Sequence, residues 1–192
     1  MASNDRPLYS LYFYLMLLPS LLFGYLATMA ILAPVFEEYG LYSISNQFYK
    51  VLSNICHQYP TRSLWVMNRP MGLCSRCFAL YASFSISLIF LPKPKSKRNV
   101  GLACLLFLPL ISDGLLQYYG IRESVNLIRF MSGTSFGVAA SIVYAYFAVT
   151  VVDKLRATIK GQTKIRAYEF INATIGSIVI CLVNFYGIAA YL

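Results

Sequence analysis

From Leu8 to Val35 the chain runs without one charged side chain, and further apolar stretches follow at 73–91, 100–119, 125–152 and 170–192. This repetition narrows the possible folds more than any other feature. About 20 apolar residues in an α-helix cross a bilayer core with every backbone group bonded internally, and few other structures survive there. Charged residues make up only 12% of the chain, about half the usual ~25% of soluble domains. Mean hydropathy is +0.62. The expectation is an all-α integral membrane protein with one domain over residues 1–192, about five transmembrane helices and one short extra helix.

The first run is too long for the apolar core of a signal peptide, and Arg6 alone makes a poor basic leader. Pro19 and Gly24 inside it predict a tilt or kink. Between the first and second spans, Asn46 to Tyr59 carries Phe48, Val51, Leu52 and Ile55 at helical spacing. It is too short to cross, so 46–60 reads as an interfacial or re-entrant helix stopped by Pro60. Residues 61–71 read as a loop, with Trp65 as an interface anchor. Gly120 to Glu123 reads as a tight turn, with Ser124 as the N-cap of the next helix.

Net charge is +9, but nine of the 16 basic residues lie in two short loops, 93–98 and 153–169. Basic residues gathered beside apolar runs mark the cytoplasmic side and do not signal nucleic acid. The N-terminus is then inside and the C-terminus outside. The start of span two, the end of span three and the start of span four all fall on the extracytoplasmic side, and every unusual polar residue lies there.

In a hairpin of spans three and four, Asp113 faces Arg129 or Phe130, and Gln117 faces Asn126. A charge at the centre of a membrane helix costs about 3 kcal/mol on insertion scales, so such groups turn inward and pair. An Asp113–Arg129 ion pair is the expectation. Gly133-x-x-x-Gly137 lets a neighbouring helix come close. Arg62, Arg69, Arg76, Arg122 and Arg129 oppose the positive-inside trend, which points to a carboxylate or phosphate partner.

Three of the five cysteines and the only histidine cluster in Cys56-His57-Gln58 and Cys74-Ser75-Arg76-Cys77. Three thiolates and an imidazole are a common zinc set, with Cys-x-x-Cys as its usual half. A disulfide, static or redox-active, and a set of reduced buried thiols are the other readings of the same residues. Cys104 and Cys181 lie inside spans and read as small core residues.

The run Cys56-His57-Gln58 … Arg62-Ser63 … Cys74-Ser75-Arg76-Cys77 … Tyr81 resembles the signature of a family of small prokaryotic membrane proteins of unknown function. A second block resembles it too: Pro109 … Asp113-Gly114 … Gln117 … Gly120 … Arg122 … Ser124 … Asn126 … Arg129 … Gly133 … Gly137. Together they cover about residues 50–140. The resemblance implies a prokaryotic cell membrane and one site shared by both clusters. Where that family has a small residue, then Gly-Ile-Tyr, this chain reads Phe78-Ala79-Leu80-Tyr81.

The resulting expectation is a zinc-type site of Cys56, His57, Cys74 and Cys77 in an arginine-rich extracytoplasmic pocket. Asp113 and His57 are the acid/base candidates. Arg62, Arg76, Gln117, Arg122, Asn126 and Arg129 are the candidates for holding an anionic small molecule or lipid headgroup. An enzyme of this kind polarises a water or substrate oxygen with the metal. Two alternatives use the same residues: an ion or solute transporter with a structural metal, and a membrane thiol–disulfide oxidoreductase.

Overall fold

The computed structural model describes residues 6–90 and 97–159. The expected fifth span, 170–192, and most of both basic loops lie outside the described residues. Helix α1 covers Arg6–Glu38 and continues through Pro19 and Pro34. Helix α2, Tyr42–Ser53, follows a turn at Gly40. Strands β1 (Ser63–Val66) and β2 (Arg69–Cys74) form an antiparallel hairpin. Helix α3 is Ser75–Phe90. Helices α4 (Lys97–Cys104) and α5 (Leu108–Tyr118) are joined by one 3-10 turn, and α6 is Asn126–Ile159.

Among the described residues, three stretches are long and apolar enough to cross a membrane: Ser10–Glu38, Val100–Tyr118 and Asn126–Ile159. The membrane character expected from composition is therefore present in the helices. The 3-10 turn at Leu105–Phe107 has a local cause. Pro109 has no N–H to give the carbonyl of Leu105, and its ring crowds that carbonyl.

Helix α3 sits between α1 and α6 and makes its most extensive contacts with α6. Gly133 and Gly137 make this possible. A Cβ on Gly133 would run into the carbonyl oxygen of Arg76, and one on Gly137 would lie 2.5 Å from the Leu80 carbonyl oxygen. Close approach is thus supplied by the glycines of α6, while α3 itself presents Ala79. On the other face, Ser20 and Ser85 each donate to the other's backbone carbonyl, at 3.0 and 2.8 Å. Tyr144 Oη donates to the Leu15 carbonyl at 2.8 Å and ties α6 to α1.

Two expectations fail at the end of the bundle that carries the cysteines. The helix expected over 46–60 is α2, and it stops at Ser53. Asn54 ends it by donating its side-chain amide to the carbonyls of Lys50 and Val51. The stretch read as a loop at 61–71 is mostly the β hairpin. Its two-residue turn is Met67-Asn68, both at positive φ (51° and 61°). That geometry usually calls for Asn-Gly or Asp-Gly, so the Met-Asn pair hid the turn.

The hairpin is fastened on three sides. Arg69 pairs with Glu37 and Glu38 at the end of α1. Tyr49 Oη donates to the Pro70 carbonyl at 2.7 Å. Residues Met71–Cys74 of β2 are buried. Helix α3 rises only about 24 Å for its 16 residues, short of a ~30 Å core. Non-helical backbone at such depth is tolerated where protein covers it.

Candidate metal and anion site

The cysteine cluster is assembled from two pieces of chain, the loop after α2 and the junction of β2 with α3. Cys56 follows α2, Cys74 ends β2, and Cys77 lies in the first turn of α3. Their sulfur atoms all lie within 4.8 Å of one another, so the group could hold a metal ion. None of the three is in a disulfide. Gly72 is needed here, because a Cβ on it would lie 2.6 Å from Leu52 Cδ1, and fully buried Leu52 is what lays α2 on β2.

Gln58, at φ 50°, donates to the carbonyls of Tyr49 and Gly72 at 2.8 and 2.9 Å. It pins the loop that carries Cys56. The backbone N–H of Cys74 donates to Cys56 Sγ at 3.3 Å. Hydrogen bonding from Cys56 and Cys77 holds Cys74 well below the ordinary thiol range. The same contact with Cys74 pushes Cys56 up to about 11. The arrangement thus favours the thiolate form at Cys74.

His57 is not part of the sulfur group. It is exposed, and its ring meets Tyr59 edge-on at 4.5 Å between centroids. The burial it does have pushes the imidazole below its ordinary range, and the charge on Cys74 pulls the other way. Arg62 lies over the same ring, its guanidinium 5.5 Å from the Tyr59 centre.

The second polar cluster meets the first through Arg76. Its guanidinium pairs with the Asp113 carboxylate and donates to Gln117 Oε1 at 3.3 Å. Arg122, half-exposed, lies 3.8 Å from the other Asp113 oxygen. The expected Asp113–Arg129 pair is therefore replaced by Arg76–Asp113. The hairpin register of spans three and four could not reveal this, because the competing partner comes from α3. Arg129 instead donates to Asn126 Oδ1 at 3.0 Å. Asn126 does not stack on Gln117. Its amide donates to the Ser63 carbonyl at 3.2 Å and joins α6 to the hairpin.

Two buried hydroxyls belong to this end of the bundle. Ser75 opens α3, and Ser124 precedes α6; neither Oγ has a partner among the described residues. Ser124 is thus not the expected cap. Cys104, by contrast, is exposed on α4.

Residues 56–143 match the family model described as "Predicted membrane protein (DUF2085)". An uncharacterized protein of Methanocaldococcus jannaschii is 36% identical over 131 residues, covering 63% of this chain and 83% of that one. An uncharacterized protein of Methanothermobacter thermautotrophicus is 32% identical over 91 residues, 46% of this chain and 82% of its own. No solved structure matches the chain significantly. The matched residues run from the first cysteine of the cluster into α6 and include both polar clusters, and the chain belongs to the DUF2085 family of predicted membrane proteins.

Proposed function

We propose that this chain is a membrane metalloprotein in which Cys56, Cys74 and Cys77 hold a zinc-type ion at the floor of an arginine-lined pocket, and that the pocket acts on an anionic or lipid-linked substrate. The observation that carries the reading is the convergence of three sulfurs within 4.8 Å, with Cys56 brought by the loop after α2 onto the Cys74–Cys77 turn where β2 runs into α3. Three protein ligands leave a tetrahedral ion one open position, the usual arrangement of catalytic rather than structural zinc. When bound, such an ion polarises a water or a substrate oxygen.

The remaining residues divide the work. His57 stands at the rim as the group able to take or give a proton. Both carboxylate oxygens of Asp113 already face guanidiniums, so Asp113 orients Arg76 and is not the proton acceptor. Asn126 orients Arg129 in the same way. The pocket opens on the extracytoplasmic side, a reading supported by the nine basic residues gathered in the loops at the other ends of the spans.

The test is metal content of the full chain purified in detergent, with free thiols counted on the same sample. About one zinc per chain is expected, the stoichiometry of a single tetrahedral site. Cys74→Ser and Cys77→Ser should lose it, and Cys104→Ser should keep it. No metal together with fewer than five free thiols would overturn the metal centre in favour of thiol–disulfide chemistry.

A further inference from the structure

Arg76 and Arg129 are both about nine-tenths buried; Arg76 stands between Cys74 and Cys77 in the chain, and Arg129 feels the charge on Cys74. Between them they have one buried carboxylate, Asp113, and it is bound to Arg76. Arg129 makes no ion pair among the described residues, and Asp113 and Cys74 attract it from beyond contact while Arg62 and Arg76 repel it. Its one side-chain partner among the described residues is Asn126 of its own helix. The Nε atoms of both arginines are buried and unpartnered among the described residues.

A guanidinium out of water with an idle N–H is costly, and two of them repelling each other cost more. The protein holds them there all the same. Gly133 presses α6 against the Arg76 carbonyl, and Asp113 and Asn126 fix the two side chains. Resting on the reading of this end as a substrate pocket, we propose that Arg129 and Arg76 together receive a phosphate-type oxyanion beside the sulfur cluster.

The chemistry selects this class. A phosphate has enough oxygens to accept from two guanidinium forks at once, and its charge offsets the repulsion between them. Ser75 Oγ and Ser124 Oγ are further idle donors at the same end of the bundle. Exposed Tyr39, Tyr42, Trp65, Tyr118 and Tyr119 also crowd this end, as side chains do at a headgroup layer. The phosphate is either free or carried by a lipid, and the two sources are separable.

The full chain in phosphate-free detergent is titrated with inorganic phosphate and, in a parallel arm, with a short-chain phosphatidic acid. The unfolding midpoint and the metal content are read on each sample. At a hundredfold excess over the dissociation constant, one probe should raise the midpoint by about 5 °C or more. Response to phosphate identifies a free anion, and response to phosphatidic acid alone identifies a lipid headgroup.

Arg129→Gln should abolish the response while keeping the metal. Arg129→Lys, which keeps the charge and loses the fork, should weaken binding about tenfold or more. Arg69→Gln, at the other end of β2 on the Glu37 pair, should respond like the wild type. The proposal is overturned if the wild type answers neither probe, if chloride at equal ionic strength does as well, or if metal-loaded Arg129→Gln or Arg129→Lys binds like the wild type. A response to either probe without metal would remove the metal centre alone. Metal without a response to either probe would remove this inference alone.

Discussion

The guanidinium of Arg76, in the first turn of α3, is paired with the carboxylate of Asp113 near the end of α5, and their side chains are only 10% and 4% exposed. This contact joins the cysteine-bearing half of the site to the half built from α5 and α6. Removing one partner of a buried pair strands the other charge and costs about 3–5 kcal/mol. Asp113→Asn and Arg76→Gln should each lower the unfolding midpoint strongly, and the double variant should lose far less than the two losses added together. Additive losses would show that the pair does not couple. Exchanging Asp113 with Arg129 should give no rescue.

Gly133→Ala tests the seam between α3 and α6. The new methyl would meet backbone, the Arg76 carbonyl, which cannot swing aside as a side chain can. Overpacking of this kind costs about 1–3 kcal/mol or more. Because it displaces the first turn of α3, metal retention should fall as well. Gly101→Ala has nothing within 4 Å and should be neutral. Equal midpoints for the two variants would rule out the close approach.

Gln58 supports Cys56 without touching a metal. Gln58→Ala loses two hydrogen bonds at a position with positive φ, and should reduce zinc affinity by about 10–100-fold, the usual effect of removing support behind a ligand. Competition with a chromophoric chelator reads this directly. Gln58→Gly keeps the backbone preference and should be as weak a binder, since the amide is what matters.

Tyr49 gives a pH-dependent signature of the α2–hairpin contact. Burial first, then the Glu37 charge, pushes its hydroxyl up to about 12 from 10.0. The folded state therefore holds the proton more tightly than the unfolded chain. The stability this adds is complete below pH 10 and is lost as pH rises towards 12. Tyr49→Phe should be less stable by about 1 kcal/mol near neutral pH. Its deficit should shrink through that alkaline window. A constant deficit up to pH 12 would contradict the shift.

Much of this protein can be read along the chain. Long uncharged runs fixed the membrane helices, because no other backbone arrangement satisfies itself in hydrocarbon. The runs 8–35, 100–119 and 125–152 overlap α1, the α4–α5 stretch and α6. The Gly133–Gly137 spacing announced a close helix contact, since two small residues four apart share one face. Cys56, Cys74 and Cys77 declared themselves by type and spacing.

What the chain could not declare was decided by packing across elements. The partner of Asp113 turned on α3 lying between α1 and α6, and no two-helix register contains that third helix. The β hairpin was hidden by a Met-Asn turn, and the strand after that turn is held from outside by Tyr49 and by Glu37 and Glu38. His57 stood next to a ligand in sequence, but adjacent side chains diverge, and the loop pinned by Gln58 turns it out of the sulfur group. Sequence determined which residues would be forced together in a bilayer, through hydrophobicity and charge. Tertiary structure alone decided which of them touch, because a buried charge takes the nearest opposite charge in space, whatever its place in the chain.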